Sequence, residues 1–360
     1  MRLRKRIVQL HRYAGLALGL CLSLTGVTGS LLVFDHALDE RLTPAIRVNP
    51  EVPSASVDAV LSAARAAAPE GSQLVRLDVA RQLGSPHNVR LRGPDKAQSL
   101  IEVSVDPGTA DILAIREWGH YPMSWLYRLH YTLLAGDSGK TVVGFFGFVL
   151  LFFCVSGLYL WWPRRGRWRK SLSVEHRRGA LRLFWDLHRV VGVMVLPILS
   201  LCALTGIAMV FAKPTSMLVG ALLPLRDVPR YSVQPAGEPL PLDELSQRAV
   251  DHWPGSTLKR IYLPRTPEDS VRIAMRHPAE QWTNHGASSL WFDPYTGVVL
   301  GEWAAPHNPA GNRVLAWVFP LHNADALGTG ARYLWMLAGL MPALLFSSGA
   351  WLWWTKRHLR

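Results

Sequence analysis

The chain has 360 residues, 49% of them hydrophobic and 18% charged, with 15 Trp and a formal net charge of +13. Charge this sparse, against the roughly 25% of a soluble domain, excludes a disordered chain and a solenoid of polar repeats. The basic balance alone would suggest nucleic acid, but its distribution along the chain points elsewhere.

Residues 1–12 carry Arg2, Arg4, Lys5, Arg6 and Arg12, and an apolar run follows from about Tyr13 to Phe34. That run exceeds the apolar core of a secretory signal and no Ala-x-Ala site follows it, so it reads as a retained membrane helix. Residues 37–124 read as a small α+β module. Its Ala-rich stretch 56–67 has helical spacing, and strand-like runs lie near 73–80, 87–92 and 99–105. An Asp106-Pro107-Gly108-Thr109 turn then leads into 110–116. In segment 125–163 an amphipathic stretch, Trp125 to Leu129, ends at His130. A glycine-containing bend and a second apolar run, Val142 to Trp162, come next.

Residues 164–186 form a basic loop, and segment 187–212 holds the third apolar run, Val190 to Phe211. Residues 213–316 repeat the α+β pattern, with a helix over Leu242–Trp253 and strands near 257–263, 270–275, 287–292 and 298–303. In the last segment, 317–360, Trp317 to Leu321 leads into His322. A fourth apolar run, Tyr333 to Trp354, precedes a basic tail.

Sixteen of the 39 basic residues fall in 1–12, 163–187 and 355–360, against two acids, Glu175 and Asp186. The remainder holds 23 basic and 24 acidic residues. Four spans place those three basic segments on one side, and the positive-inside rule makes that side the cytoplasm. Both termini are therefore expected on the inner side of the membrane and both modules outside it. Trp161-Trp162 and Trp353-Trp354 close two spans as interfacial aromatics. The basic patches are juxtamembrane flanks, which removes the nucleic-acid reading. Arg164, Arg165, Arg167, Arg169 and Lys170 serve topology and anionic lipid in the first reading, and steering of an acidic donor in the second. Cys21, Cys154 and Cys202 all lie in spans, so none staples an exported domain, and no Cys-x-x-Cys-His is present for covalent haem.

The chain is a tandem duplication. At an offset of 177, Leu10-His11-Arg12, Gly15, Thr28-Gly29 and Val33-Phe34 match Leu187-His188-Arg189, Gly192, Thr205-Gly206 and Val210-Phe211. At an offset of 192, Trp125, Leu129-His130, Gly136, Ser156-Gly157 and Trp161-Trp162 match Trp317, Leu321-His322, Gly328, Ser348-Gly349 and Trp353-Trp354. Asp106-Pro107-Gly108-Thr109 matches Asp293-Pro294-Tyr295-Thr296.

Of 13 histidines, only His11 with His188 and His130 with His322 occupy matched positions. Gly15 and Gly29 lie near the helical face of His11, and Gly192 and Gly206 stand likewise to His188. Such a glycine stripe leaves room for a flat macrocycle, and it also serves plain helix packing. Duplicated histidines on a pseudo-twofold are suited to bind one metal in trans, and bis-imidazole haem is the natural candidate. A second haem would take His130 and His322, with His36 in reserve, although its counterpart is Lys213. The expected cofactors are thus two non-covalent haem b groups, one near each face. No nucleotide fingerprint is present, so electrons come from a separate cytoplasmic donor or from membrane quinol. No hydrolase or zinc-protease constellation stands out.

The paired Leu-His-Arg and Leu-His segments, the Ser-Gly and Trp-Trp endings, and the modules with Asp-Pro-x-Thr turns together resemble the PepSY-associated transmembrane family. The resemblance covers nearly the whole chain. It implies a four-helix haem-binding bundle with two periplasmic PepSY-like modules. It also implies a bacterial inner-membrane ferric-siderophore reductase serving iron uptake, with haem ligation at His11, His188, His130 and His322. The expected enzyme is an oxidoreductase whose periplasmic partner is a ferric siderophore, released of its iron as Fe(II). Two other readings stand beside it: a haem b module for another periplasmic acceptor, and a non-catalytic anchored PepSY binding protein. Trp282 and His285 are aromatic and cationic candidates for meeting a chelate, and equally ordinary loop residues.

Overall fold

The computed structural model describes residues 2–49, 54–94, 99–280 and 286–358. Trp282 and His285 therefore lie outside the described residues. In chain order the elements begin with α1 (Arg2–Leu32), α2 (Asp35–Leu42) and α3 (Val57–Ala67), then β1 (Gln73–Asp78), β2 (His87–Arg92), β3 (Leu100–Val105) and β4 (Ile112–Glu117). Next come α4 (Pro122–Thr132), α5 (Gly136–Trp161), α6 (Trp168–Ser171), α7 (Ala180–Val210), α8 (Ala212–Leu222) and α9 (Leu242–His252). The chain continues with β5 (Thr257–Tyr262), β6 (Val271–Arg276), β7 (Ser288–Phe292) and β8 (Val299–Trp303), and ends with α10 (Ala310–Ala316), α11 (Val318–His322) and α12 (Gly328–His358). Two compact units result, one built on the long helices and one on the strands.

In the helical unit α1, α5, α7 and α12 are each long and apolar enough to cross a membrane. Their packing is inverted relative to a water-soluble bundle. The side chains turned outward include Leu20, Val155 and Met194, 65%, 64% and 66% exposed, while the buried positions include Ser23, Thr28, Ser156, Thr205 and Ser348. Large apolar groups outside and small polar groups inside are the arrangement that lipid favours, because lipid gives no drive to hide Leu and small residues let backbones approach. α1 packs on α12 and α5, and α7 on α5 and α12, so α1 and α7 stand diagonally across the bundle. The close approaches repeat with the duplication. Gly26 of α1 lies against the Gly339 backbone of α12, and Gly147 of α5 lies against Ala203 and Ile207 of α7.

Two helices begin well before the apolar runs that announce them. α1 starts at Arg2 and α7 at Ala180, so much of the basic flank, including Arg4, Arg6 and Arg182, is helical. Hydropathy detects the lipid-buried stretch, whereas Arg, Lys and Leu favour helix on either side of it. Asp186, fully buried on α7, fixes this extension. It pairs with Arg182 at 2.8 Å and Arg189 at 2.9 Å, and accepts the backbone N–H of Glu175.

In the other unit the eight strands form one antiparallel sheet in the order β4-β3-β2-β1-β5-β6-β7-β8. The two α+β modules are therefore continuous through β1 and β5, whose central pair is Leu77 with Ile261. One face carries the core: Val60, Leu61 and Ala64 of α3 and Leu245 and Ala249 of α9 pack on Leu77, Val89, Val103, Ile261, Ile273 and Phe292. Alternation places the other residues of each strand on the opposite face.

The first turns of α3 and α9 cap each other. The Asp58 carboxylate accepts the N–H groups of Leu242 and Asp243, and the Asp243 carboxylate accepts those of Val57 and Asp58, at 2.7–3.1 Å. Two N–H groups that each helix would otherwise leave open are satisfied across the pseudo-twofold, four in all. Burial by itself would raise the Asp243 pKa, but these backbone donors hold it below the ordinary carboxylate range. A depressed carboxylate stabilises fully above its unfolded pKa, and that stability is lost as pH falls through the lower folded value. Asp243→Ala should cost the sheet unit about 1–2 kcal/mol at neutral pH, read by thermal unfolding. The difference from the parent should shrink on acidification below the normal carboxylate range.

Candidate cofactor site

The helical unit brings the four matched histidines together as two pairs. His11 of α1 and His188 of α7 face each other across the bundle, ring centroids 6.5 Å apart and planes at 78°. At the other end His130 of α4 and His322 of α11 do the same at 6.4 Å and 56°. His11 and Thr28, which mark the two levels, are seventeen residues apart on α1, a rise of about 25 Å.

Each ring is held by a hydroxyl from a neighbouring long helix. Nδ1 of His11 is 2.7 Å from Ser156 Oγ of α5, and Nδ1 of His188 is 3.0 Å from Ser348 Oγ of α12. Nδ1 of His130 is 3.1 Å from Thr28 Oγ1 of α1, and Nδ1 of His322 is 2.9 Å from Thr205 Oγ1 of α7. All four hydroxyls already donate their proton to a carbonyl of their own helix: Phe152, Leu345, Leu24 and Leu201 respectively. They can therefore only accept from the imidazole. His130 Nδ1 also lies 3.0 Å from the Thr25 carbonyl, an acceptor alone. The Nδ1–H tautomer follows at each site, and the lone pair is left on Nε2, the nitrogen that binds metal when Nδ1 is anchored.

The residue after each hydroxyl is glycine and lies against the ring, most closely at Gly29. A Cβ at Gly29 would stand 2.8 Å from His130 Cε1, and one at Gly206 would stand 3.4 Å from His322 Cε1. Gly157 and Gly349 hold the same relation to His11 and His188, at 3.7 and 3.4 Å. Within the glycine stripe, Gly29 thus makes room for an imidazole edge. Gly15 and Gly192, one turn from His11 and His188, are different. A Cβ there would make only an ordinary contact, with Phe153 Cε1 at 3.9 Å and Leu345 Cδ2 at 3.8 Å.

The pair spacing suits one shared metal. Two metal–nitrogen bonds of about 2 Å, plus a little over 1 Å from each nitrogen to its ring centre, separate the centroids by about 6 Å. Among the described residues no third His, Cys, Asp or Glu completes a metal-binding group with either pair. His36 lies on α2, in the strand-bearing unit, and His130 and His322 meet without it. The three cysteines are free. The sequence reading passed over the four hydroxyls as ligand supports. Their signal was present as the repeated Thr-Gly and Ser-Gly doublets.

A bundle of four membrane helices with paired interior histidines, joined to an eight-stranded antiparallel sheet, defines a duplicated membrane protein with an α+β domain. Residues 8–356 match the family described as the PepSY-associated TM region, and the chain belongs to that family. It is 28% identical over 253 residues to an uncharacterised protein of Pseudomonas aeruginosa, covering 64% of this chain and 63% of that relative, which is less than two thirds of the relative's length.

The glycine contacts carry a direct prediction. Gly29→Ala should disturb His130 and lower thermal stability in detergent by about 1–3 kcal/mol. Gly206→Ala, with 0.6 Å more room, should cost less. Equal melting of both variants with the parent would contradict the packing of these rings.

Proposed function

We propose that the chain is a di-haem b oxidoreductase of the bacterial inner membrane, taking electrons from a cytoplasmic donor or membrane quinol and reducing a periplasmic ferric siderophore. One observation carries the reading: two imidazole pairs, at opposite ends of one apolar bundle, each with Nδ1 anchored and Nε2 free at the spacing of a shared metal. Two imidazoles complete a metal whose other donors come from a macrocycle, and bound haem supplies reversible one-electron transfer. His11 with His188 would hold one haem and His130 with His322 the other.

The chain's own residues define what such a site needs. Ser156, Ser348, Thr28 and Thr205 fix the tautomer and orient each ring. Phe153 sets its edge against His11 at 5.2 Å and helps exclude water from that level. The basic flanks support, by the positive-inside rule, a reading with both termini and the 164–186 loop cytoplasmic and the strand-bearing unit periplasmic. Reduction releases the metal because Fe(II) is held less strongly than Fe(III) by hard oxygen donors.

The visible spectrum of the detergent-purified protein, oxidised and dithionite-reduced, with a pyridine haemochrome titration, tests this. The expected result is a b-type spectrum with close to two haems per chain, and loss of about one haem in each of His11→Ala and His130→Ala. Protein made with haem available that carries none would overturn the reading and leave the anchored binding protein. Ser156→Ala should retain haem but shift its midpoint potential, since it removes the acceptor that tunes His11.

A further inference from the structure

The sheet face opposite the α3–α9 core carries an unbroken row of residues across all eight strands. Paired in register, it runs Arg116, Glu102, Arg90, Arg76, Tyr262, Arg272, Trp291 and Gly301. The two halves of this row have opposite electrostatic characters. In the first module every cation has a carboxylate. Arg116 pairs with Asp39 at 2.9 Å and Glu102 at 3.0 Å, Arg90 with Glu102 at 3.3 Å, and Arg76 with Asp78 at 2.9 Å. In the second module Arg272 has no hydrogen bond or ion pair among the described residues. Its guanidinium lies over the Tyr262 ring at 3.7 Å.

The duplication shows that the fold does not require this. In register, Arg272 and Trp291 occupy the places of Asn88 and Ser104, which satisfy each other through a 2.8 Å hydrogen bond. Tyr262 stands where the first module has Asp78. One copy is closed by local pairing, while the other substitutes a cation and two aromatic rings and leaves them facing a cavity.

That cavity, about 750 Å³, is lined by Asp227, Val228, Pro229, Arg230, Tyr262, Arg272 and Trp291. Its size falls within the range of small-molecule sites. Trp291 is buried, 5% exposed, with Tyr231 packed edge-on at 5.9 Å, so it offers a fixed aromatic surface. Arg230 is exposed and, like Arg272, has no carboxylate partner among the described residues. The Tyr262 hydroxyl accepts from Arg260 Nη1 at 3.0 Å. Burial would raise this phenol, but Arg260, Arg272 and Arg76 together draw it below its ordinary range, as expected in a positive environment. Asp227, exposed, is the one carboxylate in the lining.

We propose that this cavity of the second module binds an anionic ligand with aromatic rings, the guanidinium groups of Arg272 and Arg230 taking its oxygens and Trp291 and Tyr262 its rings. Unpaired guanidinium forks match charged oxygen donors, and aromatic walls match flat rings. That the ligand is a metal chelate rests on the reductase reading, and the catecholate class of ferric chelate joins both features. The neutral hydroxamate class has neither.

The test uses the full-length protein in detergent and equilibrium dialysis with two redox-inert probes, the trianionic gallium(III) tris-catecholate complex and a neutral gallium(III) tris-hydroxamate complex. The catecholate should bind and the hydroxamate should not. Arg272→Gln and Arg230→Gln should each weaken binding by about tenfold or more. Arg230 is exposed, so its variant probes the site without risk to folding. Arg248→Gln, which alters an exposed ion pair with Glu244 on α9, should leave binding unchanged. Unchanged binding in both cavity variants, preference for the hydroxamate, or no binding of either probe would overturn the proposal. Gallium is not reduced under these conditions, so the outcome is independent of electron transfer. Haem-free protein that binds the catecholate through Arg272 upholds the cavity while removing the reductase reading. Haem-loaded protein that fails to bind it does the reverse.

Discussion

Four hydrogen bonds from imidazole Nδ1 to a helix hydroxyl organise the interior of this membrane protein. Each hydroxyl has its own proton committed to a carbonyl three or four residues back, so it has only a lone pair to offer the ring. Tautomer and ring orientation are therefore fixed by the helix itself. In an apolar bundle this matters more than in water, since a buried polar atom without a partner is costly and the alternatives are few. The glycine next to each hydroxyl lies against the same ring, and at Gly29 a methyl group would crowd His130.

The duplication supplies both symmetry and economy of design. Each half contributes one histidine from its first long helix and one from the short helix before its second long helix, and each hydroxyl sits on a long helix. A site between α1 and α7 thus needs both halves of the chain, and so does a site between α4 and α11. The strand-bearing unit uses the same pseudo-twofold. β1 pairs with β5 at the centre of the sheet, and Asp58 and Asp243 exchange caps. Neither α+β module is closed on its own, since each would otherwise present β1 or β5 as an edge strand.

Departure from symmetry is as informative as symmetry. Asn88 and Ser104, hydrogen-bonded to each other, and Arg272 and Trp291, which are not, occupy equivalent places in one register. After duplication both copies must still fold, but the two need not keep the same residues at equivalent positions of the sheet. The same contrast separates the helical unit, where all four histidine positions are kept in duplicate, from this face of the sheet, where the two copies have diverged.

Much of this was legible in the sequence because it is written in local patterns. Hydropathy over about 20 residues marks a span, alternation marks the strands near 87–92 and 270–275, and matched offsets single out His11, His188, His130 and His322 among 13 histidines. The meaning of Thr28, Ser156, Thr205 and Ser348 was not legible, although the doublets were visible, because each acts on a ring 102 to 160 residues away. The helical starts at Arg2 and Ala180 were hidden for a different reason: hydropathy reports contact with lipid, and helix continues beyond it. Nor does any local pattern say that eight strands make one sheet. Strand faces follow from side-chain alternation along the chain, whereas the β1–β5 pairing, the diagonal placement of α1 and α7, and the unpaired Arg272 depend on which distant backbones meet. Those are decided by the tertiary packing of the two halves on each other.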